Sequence, residues 1–292
     1  MTALPRASHS VELSLVGMAV IWGVNFSVMK YGTQQMAPIA FNTLRMSIAC
    51  VILLAIAYAR PGLRPSTQDR NRLLGLGVLG HFIYQMLFVS GLALTRAGTA
   101  ALVVAASPAA VAIVARATGH ERLPMRAVAG IVLSISGVML VVGGSVQTDG
   151  TGHLIGDLLI LCAVIVWAFY TTGLVPLAQR VEPAQVAAWT LVGGVIPLAL
   201  VATPKLIQTD WAAIKPLTWG AVLYAGVLAM VIAYLVWYHG VRAIGPTRTA
   251  MFANLQPIVA VIVAWLVLSE VPTVFQGIGA ASVLGGLYLA RR

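Results

Sequence analysis

The stretch SPAAVAIVARATGHERLPMRAVAGIVLSISG, residues 107–137, recurs in altered form as QPIVAVIVAWLVLSEVPTVFQGIGAASVLGG, residues 256–286. An offset of 149 residues superposes Pro108 on Pro257, Glu121 on Glu270, Gly130 on Gly279 and Gly137 on Gly286. Nearer the start of each half, an offset of 145 superposes Trp22 on Trp167 and Pro38 on Pro183. Because chance rarely aligns such residues together, the recurrence predicts a chain made of two related halves.

Composition points to a membrane protein. Of the 292 residues, 60% are apolar and 9% are charged, against about 45–50% and 25% in ordinary soluble domains. About 20 apolar residues are needed to cross a bilayer. Ten windows of that kind occur, at approximately 13–30, 39–59, 73–93, 97–115, 127–144, 155–174, 185–202, 218–239, 247–268 and 274–290.

Each half therefore contains five spans. Five is odd, so the second half enters the membrane from the opposite face and the two halves form an inverted pair. The predicted fold is an all-α integral membrane protein with ten transmembrane helices, in two inverted five-helix repeats at residues 1–146 and 147–292. Many secondary transporters are built in this way, with a binding site near mid-depth that opens alternately to either side.

The positive charge predicts the orientation. The chain carries 18 Lys and Arg against 8 Asp and Glu, a formal net charge of +10. With both termini on one side of the membrane, 13 of the 18 cations fall on that side and 4 on the other. Because cytoplasmic loops carry the excess of Lys and Arg, both termini are expected in the cytoplasm. The charge is thus explained by topology, and nucleic acid is not an expected partner.

Several motifs resemble a known family. Residues 21–26, IWGVNF, followed by Lys30, Pro38 and Arg45, resemble the opening of the EamA-type branch of the drug/metabolite transporter superfamily, as do residues 107–108 with 119–124 and their second copy. The resemblance implies a ten-helix exporter with a central cavity lined by helices 1, 3, 4, 6, 8 and 9. Among such proteins, the aromatic amino acid exporters of bacterial inner membranes are the most similar in character.

Polar residues inside spans are candidate binding groups, because an unpaired polar group is costly there. Asn25 lies three residues after Trp22 on much the same helix face; its amide would bind substrate or clasp two helices. Asn254 and Gln256, just before Pro257, leave the same two interpretations open. Arg45 matches the family pattern and is interpreted as structural.

Aromatic residues cluster on three spans and favour a flat, amphipathic substrate. Tyr84 and Phe88 share a face of the third span with His81 and Gln85 on its edge. Trp22 and Trp167 are expected to confront each other across the repeat axis. Core packing is the alternative for any single ring, and hydrogen bonding is the alternative to a proton relay for His81. The remaining candidate site residues are Tyr170, Tyr234 and Trp237.

Pro108 and Pro257 each remove the amide donor to the carbonyl four residues earlier, so bends are expected there, either as hinges or as static kinks. The eight acidic residues lie at span ends or in loops, which disfavours a proton-coupled cation pump. The predicted spans contain no His and Glu residues at the spacing of metal ligands and no catalytic motif. No enzyme, metal or cofactor is therefore predicted. The expected protein is a bacterial inner-membrane exporter of aromatic or neutral apolar amino acids, and a monomer is compatible with the sequence. The alternative is a drug or other metabolite exporter of the same fold; a channel or a membrane enzyme is disfavoured.

Overall fold

The computed structural model describes residues 9–59, 64–117, 125–149, 152–178, 180–244, 249 and 252–290. Regular structure within these ranges is helical, and they contain no strand. Eight helices are long and apolar enough to cross a membrane, and two shorter apolar helices follow at Leu255–Leu268 and Val274–Leu289. The first eight predicted spans each lie on a long helix, and the last two fall on the shorter helices. The motif at 119–124 lies outside the described residues.

The helices are named α1 to α10 in chain order. Their bounds are α1 His9–Gln35, α2 Pro38–Ala59, α3 Thr67–Leu94, α4 Ala97–Ala117, α5 Met125–Asp149, α6 Gly152–Ala178, α7 Pro183–Gln208, α8 from Pro216–Leu223 through Tyr224–Ile232 to Ala233–Ile244, α9 Leu255–Leu268 and α10 Val274–Ala290. A 3-10 turn, Trp211–Ala213, precedes α8.

Helix α3 begins six residues before the span predicted at 73–93. The Ser66 hydroxyl oxygen accepts a hydrogen bond from the backbone N–H of Asp69 at 3.1 Å, which caps the helix. The polar residues 67–72 then form helix outside the apolar window. A hydropathy window predicts the part of a helix that crosses the bilayer and is insensitive to such an extension.

Helix α4 is interrupted close to the predicted bend at Pro108. Its first part ends at Val104 and its second begins at Ser107, so the helix breaks for two residues. The Ser107 hydroxyl donates to the Val104 carbonyl at 2.5 Å and satisfies the acceptor that the proline leaves without an amide donor. In the second half, α9 begins at Leu255, two residues before Pro257. Helix boundaries thus lie next to both prolines, and the bends predicted there stay predictions.

Helices α3 and α8 each contain a π-helical segment, at Val78–Ile83 and Tyr224–Ile232. The two segments overlap when the sequence is shifted by 149 residues. Such segments are uncommon and occur frequently at functional sites, because they change the direction of the side chains that follow.

Glycines set the closest helix contacts. A methyl group on Gly137 of α5 would lie 2.7 Å from the Gly279 carbonyl oxygen of α10, and one on Gly279 would lie 2.7 Å from the Gly137 oxygen. Two helical turns further along α10, a methyl group on Gly286 would lie even closer to the Gly130 carbonyl oxygen. The helices therefore run antiparallel in close backbone contact, as small residues allow in membranes.

A second pair of glycine contacts joins other helices. A side chain on Gly77 of α3 would clash with the Thr190 carbonyl of α7, and one on Gly226 of α8 would lie 2.7 Å from the Arg45 carbonyl oxygen of α2. Helices α2, α3, α7 and α8 thus pack tightly around the region where the candidate site lies.

Candidate functional site

A small cavity lies between α2, α3, α7 and α8. Its lining residues are Leu53, His81, Ala187, Leu191, Met230 and Tyr234. It offers about 10 Å³ to the centre of a water molecule, which is room for about one water. The resemblance implied walls from helices 1, 3, 4, 6, 8 and 9, whereas helices 2 and 7 join 3 and 8 around this cavity. In the described conformation this cavity is too small for an amino acid.

Arg45 lies beside this cavity and is 2% exposed. Its Nε–H donates to Asn42 Oδ1 at 2.9 Å and its Nη2–H donates to Gln85 Oε1 at 2.7 Å. The phenol groups of Tyr84 and Tyr234 lie near enough to interact electrostatically with the guanidinium. Arg45, interpreted from the sequence as structural, therefore stands among the predicted site residues Gln85, Tyr84 and Tyr234.

His81 connects the cavity to α6. Its side chain is 4% exposed, and its Nε2 lies 3.2 Å from the Tyr170 hydroxyl. Its Nδ1 and the Asn42 Nδ2 are buried atoms that lack a hydrogen-bond partner. Buried polar atoms of this kind are uncommon in folded proteins and call for an explanation. The proton relay proposed for His81 stays a prediction.

Four of the predicted rings form one group, called here the α3/α6 rings: Tyr84, Phe88, Trp167 and Tyr170. The Tyr84 and Phe88 rings are stacked with centroids 5.6 Å apart. Trp167 packs 5.0 Å from Tyr84 and 5.0 Å from Tyr170, tilted in both contacts. This group joins α3 of the first half to α6 of the second.

Three further rings form the α1/α8 rings: Trp22, Tyr234 and Trp237. The Trp22 centroid lies 5.6 Å from Tyr234 and 5.8 Å from Trp237, and its Nε1–H donates to the Ala229 carbonyl at 2.9 Å. The sequence predicted that Trp22 would confront Trp167. Instead, each tryptophan packs against a helix of the opposite half, so the two rings lie in separate groups.

The other amide side chains predicted as site residues, those of Asn25, Asn254 and Gln256, lie on α1 and at the start of α9. Asn25 on α1 has a buried Oδ1 without a hydrogen-bond partner. Asn254 and Gln256 lie at the start of α9, where a methyl group on Gly23 of α1 would lie 2.9 Å from the Gln256 carbonyl oxygen. Among the described contacts, none joins these three side chains to Arg45.

Two charged side chains, Lys30 and Glu270, form hydrogen bonds with backbone groups at helix ends. Lys30 Nζ donates to the Leu92 and Ala93 carbonyls at 3.0 and 2.9 Å, which stabilises the end of α3. Glu270 accepts from the backbone N–H groups of Ala97 and Gly98 at 3.0 and 3.2 Å, which stabilises the start of α4. Lys30 and Glu270, two residues of the family resemblance, thus provide hydrogen-bond partners for backbone groups at helix ends.

Sequence reasoning missed Arg45 and Asn42 as site residues. A signal for them existed: they lie three residues apart on an otherwise apolar helix and so share one face. Within the described ranges, no three His, Cys, Asp or Glu side chains form a group that could hold a metal ion.

Three relatives align with nearly the whole chain. An uncharacterized transporter of Bacillus subtilis, YyaM, is 29% identical over 96% of this chain and 93% of its own. A probable terminal-alkyne amino-acid exporter of Streptantibioticus cattleyicolor is 27% identical over 96% and 92%. A probable amino-acid metabolite efflux pump of Escherichia coli is 28% identical over 93% and 91%.

A solved crystal structure also matches. It covers 96% of both chains with a TM-score of 0.68 and 21% sequence identity, which shows a shared fold. The model of the EamA-like transporter family matches two stretches of the sequence, residues 9–143 and 154–292. Together the two stretches comprise most of the chain, which therefore belongs to the EamA-like transporter family.

Proposed function

We propose that this protein is a secondary exporter of amino acids with aromatic or neutral apolar side chains. The observation that carries the proposal is the buried polar centre of Arg45, Asn42, Gln85 and His81, flanked by the α3/α6 rings and the α1/α8 rings. Polar groups would hold the backbone part of the substrate and rings its side chain. Two relatives named for amino-acid or amino-acid-metabolite export support the substrate class.

The architecture belongs to the same proposal: ten spans in two inverted repeats, residues 1–146 and 147–292. A two-fold relation requires that contacts occur in swapped pairs. Gly137 and Gly130 have Gly286 and Gly279 as repeat mates at an offset of 149. The contacts Gly137–Gly279 and Gly130–Gly286 are such a swapped pair, which supports the axis between α5 and α10.

A second swapped pair supports the same axis. Gly77 contacts the Thr190 carbonyl, and Gly226 contacts the Arg45 carbonyl. Gly226 is the mate of Gly77 at an offset of 149, and Thr190 is the mate of Arg45 at an offset of 145. The shared position of the π-helical segments in α3 and α8 agrees with this relation.

Alternating access is the proposed mechanism, with hinges at Pro108 and Pro257. The small cavity between α2, α3, α7 and α8 is interpreted as part of an occluded conformation, from which either end of the bundle opens. The protein is proposed to lie in a bacterial inner membrane as a monomer with both termini cytoplasmic. A channel is the alternative, and saturable counterflow separates the two, because a channel cannot accumulate labelled solute by exchanging it for unlabelled solute on the other side.

The test is counterflow of radiolabelled phenylalanine or tryptophan in liposomes containing the purified protein. Alanine at Trp22, Tyr84 or Trp167 is expected to weaken apparent binding about tenfold, because each change removes ring contacts. Trp211→Ala is the matched control, since Trp211 stacks on Trp219 with centroids 6.1 Å apart, outside both ring groups. Transport of sugars or nucleotides without any of neutral amino acids would overturn the substrate assignment.

A further inference from the structure

At two positions in or near the cavity, a polar residue of the first half has an apolar repeat mate that lines the cavity. His81 has Met230 as its repeat mate at an offset of 149, and both line the cavity. Asn42 has Ala187 as its mate at an offset of 145, and Ala187 is also a lining residue. At these two positions the first half supplies a polar group where the second supplies an apolar one, which suits a substrate that is polar at one end.

Arg45 is the strongest element of this asymmetry. Its repeat mate is Thr190, whose hydroxyl donates to the Val186 carbonyl of its own helix at 2.7 Å. The cation consequently belongs to the first half alone. It is not required to build a five-helix unit, because the second unit has a threonine in its place.

The charge of Arg45 is not compensated by a carboxylate in the described part of the chain. Both hydrogen-bond acceptors of the guanidinium are neutral amide oxygens, on Asn42 and Gln85. A buried cation is costly unless it is paired. A guanidinium has five N–H groups, and the two bonds use one on Nε and one on Nη2. Both N–H groups of Nη1 and one of Nη2 remain available to donate. Nη1 and Nη2 together are a pair of nitrogens that can bind a carboxylate in bidentate fashion.

We propose that the guanidinium of Arg45 binds the α-carboxylate of the transported amino acid. The inference rests on the proposed function and specifies the chemical class: the substrate must carry a carboxylate. The buried, unpartnered Asn42 Nδ2 and His81 Nδ1 are the nearby groups available to complete the site. An amino acid held at Arg45 would set its side chain against Tyr84 or Tyr234, two rings that interact electrostatically with the guanidinium.

The test compares phenylalanine with phenylalaninamide, which has nearly the same shape but a neutral amide in place of the carboxylate. In proteoliposome exchange, the wild-type protein is expected to prefer phenylalanine by about ten- to a hundredfold, the range for hydrogen bonds to charged groups. Arg45→Gln should abolish this preference and Arg45→Lys should keep part of it, because lysine retains the charge without the bidentate geometry.

Gln85→Glu tests the inference if Arg45→Gln fails to fold. The new carboxylate would pair with Arg45 from inside the protein, so the preference for phenylalanine should fall at least tenfold while thermal stability is kept. Gln185→Glu is the matched control: Gln185 is equally buried, but its amide donates to the Ala57 carbonyl of α2. It should retain the preference.

The outcomes separate the two proposals. A preference unchanged in both Arg45→Gln and Gln85→Glu would overturn the inference and leave Arg45 as a tie between α2 and α3, with amino acid export still standing. Failure of both compounds to exchange or to raise the melting temperature of the wild-type protein would overturn the proposed function, and the inference with it.

Discussion

Gly77 lies where α3 crosses α7, with its α-carbon directed at the Thr190 carbonyl. Gly75, two residues earlier on the same helix, is exposed and would meet no heavy atom within 4 Å if it carried a methyl group. The helix needs a glycine at one position and tolerates a side chain at the other. Comparing substitutions at Gly77 and Gly75 therefore separates the contribution of close backbone packing to stability from the effect of replacing a glycine in the helix.

Gly77→Ala is expected to destabilise the protein by about 1–3 kcal/mol, because the methyl group forces two backbones apart. Gly75→Ala is expected to be neutral or stabilising by up to about 1 kcal/mol, since alanine favours helix. Melting temperatures of the two variants in detergent check this. Equal melting temperatures would contradict the packing of α3 against α7.

Single residues also mark the limits of sequence reasoning. The rings Tyr84, Phe88 and Trp167 were predicted as a site and lie together. The role of Arg45 was not predicted, because one sequence does not distinguish a cation that extends to the membrane surface from one buried among amides. That choice depends on which neighbouring helix covers α2, and hydropathy contains no such information.

At the scale of elements, α4 and α9 carry the proposed hinges. Pro257→Ala would restore an N–H able to donate to the Ala253 carbonyl and so extend α9 towards its N-terminus. Maximal exchange is expected to fall roughly tenfold, with the half-saturating concentration unchanged, because a conformational step is slowed.

Pro197→Ala is the control for that substitution. Pro197 lies inside α7, which continues unbroken from Pro183 to Gln208, so its replacement should leave the exchange rate near the wild-type value. A matched decrease in both variants would show that the effect comes from general packing rather than from a hinge.

Element boundaries were predictable where hydropathy decides them and not where local hydrogen bonds do. The apolar core of α2 was predicted at 39–59 and the helix is Pro38–Ala59. The break in α4 was expected from Pro108, but its completion by the Ser107–Val104 bond depends on a side-chain rotamer. The π-helical segments had no sequence signal, because they depend on the packing of neighbouring helices.

At the scale of the whole molecule, orientation is open to a direct test. The test uses a background variant in which Cys50 and Cys162 are replaced by alanine. In that background, a cysteine introduced by Gln208→Cys should react with an impermeant maleimide in intact cells. A cysteine introduced by Asn71→Cys should not react. The reason is that the cation-rich side of the membrane, which includes Asn71, is predicted to be cytoplasmic. The reverse labelling pattern would invert the topology.

The recurrence at an offset of 149 was the most informative whole-chain signal, since Gly130, Gly137, Gly279 and Gly286 all lie in the contact between α5 and α10. What it could not predict was which helices surround the cavity. The relative placement of the two proposed repeats depends on many weak contacts, and the sequence pattern of either repeat alone does not specify it.

The small volume between α2, α3, α7 and α8 has a consequence for measured affinity. A space for about one water would admit the proposed amino acid substrate only in conformers in which these helices have already separated. The observed dissociation constant then equals the intrinsic constant divided by the fraction of molecules in such conformers. A population of one expanded molecule in about a hundred would make a micromolar site behave as one of roughly 100 μM, so weak apparent binding and strict selection among ligands are compatible here.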